Sequence, residues 1–391
     1  MQAMLTGNHA QSLAAKLARV QVVSAYPITP QTTIVERIAE MVASGEFPAE
    51  FLEVESEHSA LQACISAAAV GARTYTATSS QGLLLMHELL HWASGLRVPI
   101  VMGVVNRAVA PPWTIYADHT DTVAQRDTGW IQYYCESNQE VLDTVLQAYR
   151  VAEDFRVMLP AMVTEDAFFL SHTFEPVDVP PPEAVDAFLP PLEMPYALSV
   201  ERPARFGSFM PPDQYMEDRR NVSDGMEAAA RVIADVEREF AERFGRDHGG
   251  VLPLFGCDDA DAVLVVSGTA ASTARAVARE MRDEGLRVGV AKLRVFRPWP
   301  VAAIRAMAAK TPRIAVLDRS YTFGFGGALF QEVRNAIQSP RGGALVRGYI
   351  AGLGGRDIMP ATIQGIFEDI LAKDAPEVSW VGLREVTEWP G

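Results

Sequence analysis

The sequence of 391 residues exceeds what one hydrophobic core usually organises, so two or three domains are expected and a single small module is excluded. With 49% hydrophobic and 21% charged residues it can build packed cores and is too apolar for a disordered chain. Lys and Arg number 34 against 49 Asp and Glu, and the formal charge of −15 repels phosphate backbones and anionic lipid heads, which argues against nucleic-acid and membrane-surface partners.

The first twenty residues lack the basic and apolar regions of a secretion signal, and no run of about 18 apolar residues occurs. Short β-branched runs then alternate with helical patterns up to Asp166, as a layered α/β sheet requires. Strands are predicted at 21–27, 50–56, 74–79, 99–106 and 157–166, several of them apolar on both faces, so the sheet is expected to be parallel and covered by helices. Helical spacing of apolar residues fills the intervals, in TTIVERIAEMVAS, HSALQACISAAAVGA, LLLMHELLHWASGL and EVLDTVLQAYRVAED. Residues 173–212 are rich in proline, which gives no N–H to a ladder, and read as a strap or linker. One long helix is predicted over 214–244, with a narrow stripe of Val222, Met226, Ala229, Ile233, Val236 and Phe240 and a stop at Gly245. A stripe that narrow is expected to lie across another subunit or domain. From Asp261 strands and helices alternate cleanly (DAVLVVSG, LRVGVAKLRV, RIAVLDRS and LVRGYI as strands), which implies a second, smaller doubly wound sheet. The expected organisation is a first domain over 1–172, a strap and long helix over 173–250, and a second α/β domain over 251–391.

The three cysteines, Cys64, Cys135 and Cys257, lie far apart, which excludes a CxxC zinc or iron–sulfur site and a disulfide framework on this chain and fits a cytoplasmic location. His87-Glu88-Leu89-Leu90-His91 is an HExxH pattern on a predicted helix, where two histidines on one face could ligate zinc while the glutamate activates its water. A third ligand would come from Asp118, His119 or Glu136, without a rule to choose between them. The same stretch also reads as a helix buried on several sides whose histidines bond to neighbours. Two glycine clusters, Gly324 to Gly327 and Gly352 to Gly355, could cradle a phosphate through backbone N–H groups or form tight turns at a sheet edge.

Three loops after predicted strands carry more, since ligands of open α/β sheets bind at that edge. Tyr26-Pro27-Ile28-Thr29-Pro30 can offer the Thr29 hydroxyl in a set direction. Glu55-Ser56-Glu57-His58 joins a strand to a helix, with Ser56 able to cap it and Glu57 in its first turn. Asn106-Arg107-Ala108 opens the long loop APPWTIYADHTD. A hydroxyl, a carboxylate and a guanidinium could converge there, or each could be a turn former, a cap and a rim ion pair. Asp118, His119 and Asp121 could hold a metal or be a hydrogen-bonded loop.

Several collinear stretches resemble the α subunit of the 2-oxoacid:ferredoxin oxidoreductases, the pyruvate synthase group: AYPITPQT, EVESEHSA, TSSQGLLLMHE, VNRA, DHTD, QRDTGWIQ and GLGGRD. The resemblance spans nearly the whole chain. It implies a pyrimidine-binding thiamine diphosphate domain followed by a transketolase-C-terminal-like domain. By that similarity Glu57 would hydrogen-bond N1′ of the coenzyme's aminopyrimidine, favouring the imino tautomer that removes the thiazolium C2 proton. Pro27 and Ile28 would border the coenzyme, and Thr29 and Arg107 would hold the carbonyl and carboxylate of a 2-oxoacid. HELLH would be a packed helix, not a zinc site.

The GDG…N motif that grips diphosphate and Mg²⁺ in that superfamily is absent here, as are cluster-binding cysteines. The resemblance therefore implies a β chain carrying the diphosphate–Mg²⁺ half-site and a [4Fe–4S] cluster, a γ chain, a ferredoxin-like δ chain, a doubled assembly and ferredoxin as electron acceptor. The implied reaction is oxidative decarboxylation of a 2-oxoacid with transfer of the acyl group to coenzyme A. Pyruvate is the expected substrate; Trp113, Ile115 and Tyr116 could instead line a pocket for phenylglyoxylate, with NAD as final acceptor. A zinc peptidase and a non-catalytic scaffold are the competing classes.

Overall fold

The computed structural model describes residues 1–201, 203–338, 343–372 and 376–384. In chain order the elements are β1 (Gln2–Leu5), α1 (Gly7–Leu17), β2 (Val22–Ala25), α2 (Thr32–Ala43), β3 (Glu50–Glu53), α3 (Glu57–Ala69), β4 (Thr74–Thr78), α4 (Ser80–Leu85), α5 (His87–Gly95), β5 (Val101–Asn106), α6 (Thr120–Val123), β6 (Ile131–Tyr134), α7 (Asn138–Ala152), β7 (Ala161–Asp166), β8 (Glu175–Asp178), α8 (Pro182–Phe188) and α9 (Pro212–Phe244). They continue with β9 (Leu254–Phe255), β10 (Ala262–Val266), α10 (Ala270–Asp283), β11 (Val288–Lys292), β12 (Val295–Arg297), α11 (Val301–Ala308), β13 (Arg313–Asp318), α12 (Ala328–Ile337), β14 (Leu345–Ile350), a 3₁₀ turn (Leu353–Gly355), α13 (Pro360–Leu371) and β15 (Val378–Trp380). The chain forms two compact units, one of Met1–Pro253 with Leu293–Pro300, the other of Leu254–Lys292 with Val301–Gly391.

The sheet of the first unit runs β12-β6-β7-β5-β4-β2-β3. All neighbours are parallel except the edge pair β12–β6. Strands β4, β5 and β7 are buried along their whole length, as parallel strands covered on both faces must be. Because the strands run the same way, the loops after β2, β3, β4 and β5 share one edge. The five predicted strands are all present, somewhat shortened. Not predicted from the sequence were the N-terminal helix α1, strand β6 within TGWIQYY, the short helices α6 and α8, and the small antiparallel pair β1–β8.

Helix α9 ends as the sequence predicts, with Gly245 at a φ of 66°, a left-handed conformation that costs glycine little. Of the two surfaces expected for its stripe, another subunit or another domain, the stripe covers the domain that precedes it in the chain. Val222, Ala229, Val232, Ile233, Val236 and Phe240 pack into the core of the first unit alongside Val141, Val145 and Ala148 of α7. The proline-rich strap lies in the same unit.

The predicted strand LRVGVAKLRV is divided. Val288–Lys292 joins the second unit, whereas Val295–Arg297 pairs antiparallel with β6. Between them, Arg294 is fully buried and uses each of its five donors: Nε on Glu140 (2.9 Å), Nη1 on Glu237 (2.9 Å) and Gly250 O (3.2 Å), and Nη2 on Thr144 (3.1 Å) and Gln147 (2.8 Å). The guanidinium also lies over Tyr133. One side chain thus fastens the returning segment to α7 and α9.

In the second unit the sheet runs β15-β14-β13-β10-β11-β9, parallel except for the edge strand β9. The order reverses between β10 and β13, and Ala262, Leu264 and Val266 of β10 pack with residues of α10 and α13. This is the doubly wound arrangement expected from the alternation of its elements.

Replacing Arg294 with Met would leave Glu140 and Glu237 buried without their cation. A loss of about 3–5 kcal/mol is expected from equilibrium denaturation. A loss under about 1 kcal/mol, the size of an exposed pair, would contradict this role.

Candidate functional site

Helix α3 opens with Ser56 as N-cap, its hydroxyl accepting from Ser59 N–H at 3.2 Å. Glu57 follows in the first turn, where the helix dipole favours a carboxylate. A carboxylate serving the dipole alone would stay in water. Glu57 is instead 7% exposed, and its carboxylate has no hydrogen bond or ion pair among the described residues. Burial of a charge without a partner is costly. The absence of a side chain at Gly82, in α4, makes room for it: a Cβ there would lie 2.6 Å from Glu57 Oε1 and 2.5 Å from Thr78 Oγ1.

The loop after β2 is held from below. Gln31 donates from Nε2 to Ala77 O of β4 (2.8 Å) and accepts from Ile28 N–H at Oε1 (3.3 Å). Asn8, fully buried in α1, donates from Nδ2 to Pro30 O (2.7 Å) and to Thr33 Oγ1 (2.6 Å). Pro30 is buried, while Tyr26, Pro27 and Thr29 are exposed and Ile28 is half-buried. The rigid base therefore presents the Thr29 hydroxyl at the surface of the unit.

Arg107 follows β5 and is 5% exposed. Its Nη1 donates to Thr29 O (2.8 Å) and its Nε to Thr114 O (3.1 Å), while Nη2 has no hydrogen bond among the described residues. Two of the sequence-predicted residues are thus joined directly. The loop from Arg107 closes through Ala108 N–H to Tyr116 O (3.0 Å). Trp113 and Tyr116 are exposed, and the Tyr116 ring lies tilted against Phe168 with centroids 5.1 Å apart.

The residue that fixes this edge is Asp121. Fully buried, it accepts from Ser80 N–H (3.1 Å), Arg107 N–H (3.0 Å), Asn106 Nδ2 (2.9 Å) and Thr122 N–H (2.7 Å). It ties the turn after β4 to the turn after β5. Ser80 takes a φ of 45° there, a strained value for a residue with a side chain, and its hydroxyl donates to Ala108 O (2.6 Å). In the sequence Asp121 stood among candidate metal ligands, because spacing cannot tell a ligand from a carboxylate that organises backbone.

The other Asp118–Asp121 residues are similarly engaged: Asp118 accepts from Thr120 N–H (2.8 Å), and His119 Nε2 meets Asp166 Oδ1 at 2.6 Å. No group of three His, Cys, Asp or Glu among the described residues is placed to hold a metal ion. The HELLH helix buries Leu89, Leu90 and Ala93, and its polar face is less buried than the sequence suggested. His87 and Glu88 are exposed and His91 is half-buried, with His87 Nδ1 against Gln125 Oε1 at 2.5 Å. A zinc-peptidase site finds no third ligand among the described residues.

Neither glycine cluster is an open phosphate cradle. The N-terminus of α12 already receives the carboxylate of Asp318, which accepts from Leu329 N–H (2.7 Å) and Phe330 N–H (3.0 Å). Burial pushes that carboxyl up to about 7, against the pull of the donors. Gly352, Gly354 and Gly355 have positive φ and form the tight turn after β14.

Comparison with known proteins finds two successive matches along the chain. Residues 13–238 match the family described as pyruvate flavodoxin/ferredoxin oxidoreductase, thiamine diphosphate-binding, and residues 260–363 match pyruvate:ferredoxin oxidoreductase core domain II. The chain belongs to the pyruvate:ferredoxin oxidoreductase family. It is 48% identical to ketoisovalerate oxidoreductase subunit VorA of Pyrococcus abyssi over 387 residues, covering 97% of this chain and 98% of that one. With pyruvate synthase subunit PorA of Methanothermobacter thermautotrophicus the identity is 47%, covering 98% and 99%. A solved 2-oxoglutarate:ferredoxin oxidoreductase from Magnetococcus marinus superposes with a TM-score of 0.73 at 19% identity, over 95% of this chain and 65% of that chain, a likeness of fold. Family membership makes the chain a subunit of an oxidoreductase, with a first domain of the thiamine diphosphate-binding type. No helix among the described residues is long and apolar enough to cross a membrane.

Burial pushes the Asp121 carboxyl up from 3.8 to about 6, its four hydrogen bonds opposing the rise. A folded value above the unfolded one means that folding favours the protonated form. That contribution is complete below about pH 4 and is lost as the pH rises through about 6. The unfolding free energy of the wild type relative to an Asp121→Asn variant is therefore expected to decline between pH 4 and 6.5 and then to level. A difference independent of pH would contradict the assignment.

Proposed function

We propose that this chain is the α-type catalytic subunit of a coenzyme A-dependent 2-oxoacid oxidoreductase, acting on a 2-oxoacid with a short apolar tail, pyruvate first, and sharing thiamine diphosphate with a partner chain. The observation that carries the reading is the Glu57 carboxylate, on a residue 7% exposed and without a partner among the described residues, beside the space left by Gly82. In its imino tautomer the coenzyme's ring carries an N1′–H that would give such a group the donor it lacks, so the residues present fit the coenzyme. When bound, the coenzyme would supply a nucleophilic carbon for the substrate carbonyl and an electron sink for the pair released as CO₂ departs.

The remaining roles fall to the loops at the same sheet edge. Glu57 holds a proton at N1′ of the ring, and Pro27 and Ile28 border it. Arg107, already fixed through Nη1 and Nε, directs Nη2 to the substrate carboxylate, for which a planar guanidinium is suited. The exposed Thr29 hydroxyl donates to the substrate carbonyl. With no GDG motif and no paired cysteines in this sequence, the diphosphate–Mg²⁺ half-site and the iron–sulfur clusters are assigned to β, γ and ferredoxin-like δ chains, with ferredoxin or a similar carrier as acceptor. The names PorA and VorA both denote enzymes of 2-oxoacids with apolar tails, which supports that substrate class.

Purified with its partner chains, the complex is expected to reduce a viologen dye in the presence of coenzyme A and a 2-oxoacid. A panel of pyruvate, 2-oxoisovalerate, phenylglyoxylate and 2-oxoglutarate should place pyruvate or 2-oxoisovalerate first by kcat/KM. Glu57→Gln should lower turnover at least about a hundredfold, the scale of a lost acid–base group. Near-normal turnover of that variant would overturn the role of Glu57.

A further inference from the structure

The Thr78 side chain is fully buried at the end of β4, and its Oγ1 has no hydrogen-bond partner among the described residues. Thr78 Oγ1 and Glu57 Oε1 both lie within 2.6 Å of the point that a Cβ on Gly82 would occupy, so the two oxygens are no more than about 5 Å apart. A hydroxyl that lacks an acceptor and a carboxylate that lacks a donor thus face each other across a gap one methyl group wide. A small rotation of the glutamate, or one bridging water, closes it.

We propose that Thr78 is a positioning residue for Glu57, its hydroxyl donating to one carboxylate oxygen so that the other is presented to the aminopyrimidine ring. The inference rests on the proposed role of Glu57 and extends it to the group that orients it. Gly82 is part of the same device, because any side chain there would occupy the gap. A hydrogen bond to an ionised group favours the ionised form, so loss of the hydroxyl is read in the pH profile of the complex. Thr76 provides an internal control. It lies on the same face of β4 two residues earlier and is also buried with an unpartnered hydroxyl.

The test uses the whole complex stripped of coenzyme and carrying Thr78→Val, Thr78→Ser or Thr76→Val. Calorimetry with thiamine diphosphate and Mg²⁺ is expected to give a Kd about tenfold weaker for Thr78→Val, the loss of one hydrogen bond to a charged group. The acid limb of its kcat/KM profile should move to higher pH, and the circular-dichroism band of the coenzyme's imino tautomer should weaken. Thr78→Ser should restore all three readouts, and Thr76→Val should match the wild type. The proposal is overturned if Thr78→Val binds and titrates as the wild type does while Glu57→Gln is impaired, or if Thr76→Val reproduces its losses. If Glu57→Gln itself leaves coenzyme affinity and turnover intact, the role of Glu57 fails and this proposal falls with it.

Discussion

A single buried carboxylate organises the edge of the first unit on which every candidate residue stands. Asp121 spends its two oxygens on four N–H donors, three of them backbone, drawn from the turn after β4, the turn after β5 and its own short helix. Parallel strands deliver their loops to one edge, but they do not say how far those loops rise or which way they turn. The carboxylate does: it holds Ser80 in a left-handed conformation at the start of α4, two residues before Gly82, and it fixes the backbone from which Arg107 reaches Thr29. Burying a charged group is the cost, offset by hydrogen bonds that leave neither oxygen unmet.

Against that fixed frame two buried glutamates lack a donor among the described residues: Glu165, whose fully enclosed carboxyl burial pushes well up, and Glu57, which is 7% exposed at the sheet edge. Asp121, Asp318 and Glu140 are all buried acids, and each is answered by donors from the protein. Glu57 is answered by none among the described residues, although helix α3 has a serine cap and needs nothing from it. A half-site explains the contrast under the proposed reading, because the missing donor belongs to a coenzyme that this chain contacts at its ring alone. The acidic charge of the chain is consistent with that division, the anionic tail being left to a partner.

Much of the architecture was legible from the sequence because it is written locally. Both-face apolar runs gave the parallel strands, and the spacing from Val222 to Phe240 with Gly245 gave α9. What escaped was non-local. Strand β12 follows β11 after two residues yet joins β6, more than 150 positions away, and nothing in LRVGVAKLRV marks the break except Arg294, whose partners lie on α7 and α9. The stripe of α9 was readable, whereas the surface it covers was not. In the site, Thr29, Glu57 and Arg107 were found because loops after strands and a family resemblance both pointed to them. Asn8, Gln31 and Asp121 were not recognised as its supports, since each acts through backbone groups that carry no residue-specific signal.

The account stands or falls on the neighbour of one carboxylate. A density map of the intact complex loaded with thiamine diphosphate and Mg²⁺ tests it most directly. The prediction is a Glu57 oxygen within hydrogen-bond reach of N1′ of the aminopyrimidine, about 2.6–3.2 Å away, with the diphosphate held by another chain. A map in which the ring lies elsewhere, or in which Glu57 pairs with a protein group, would contradict it.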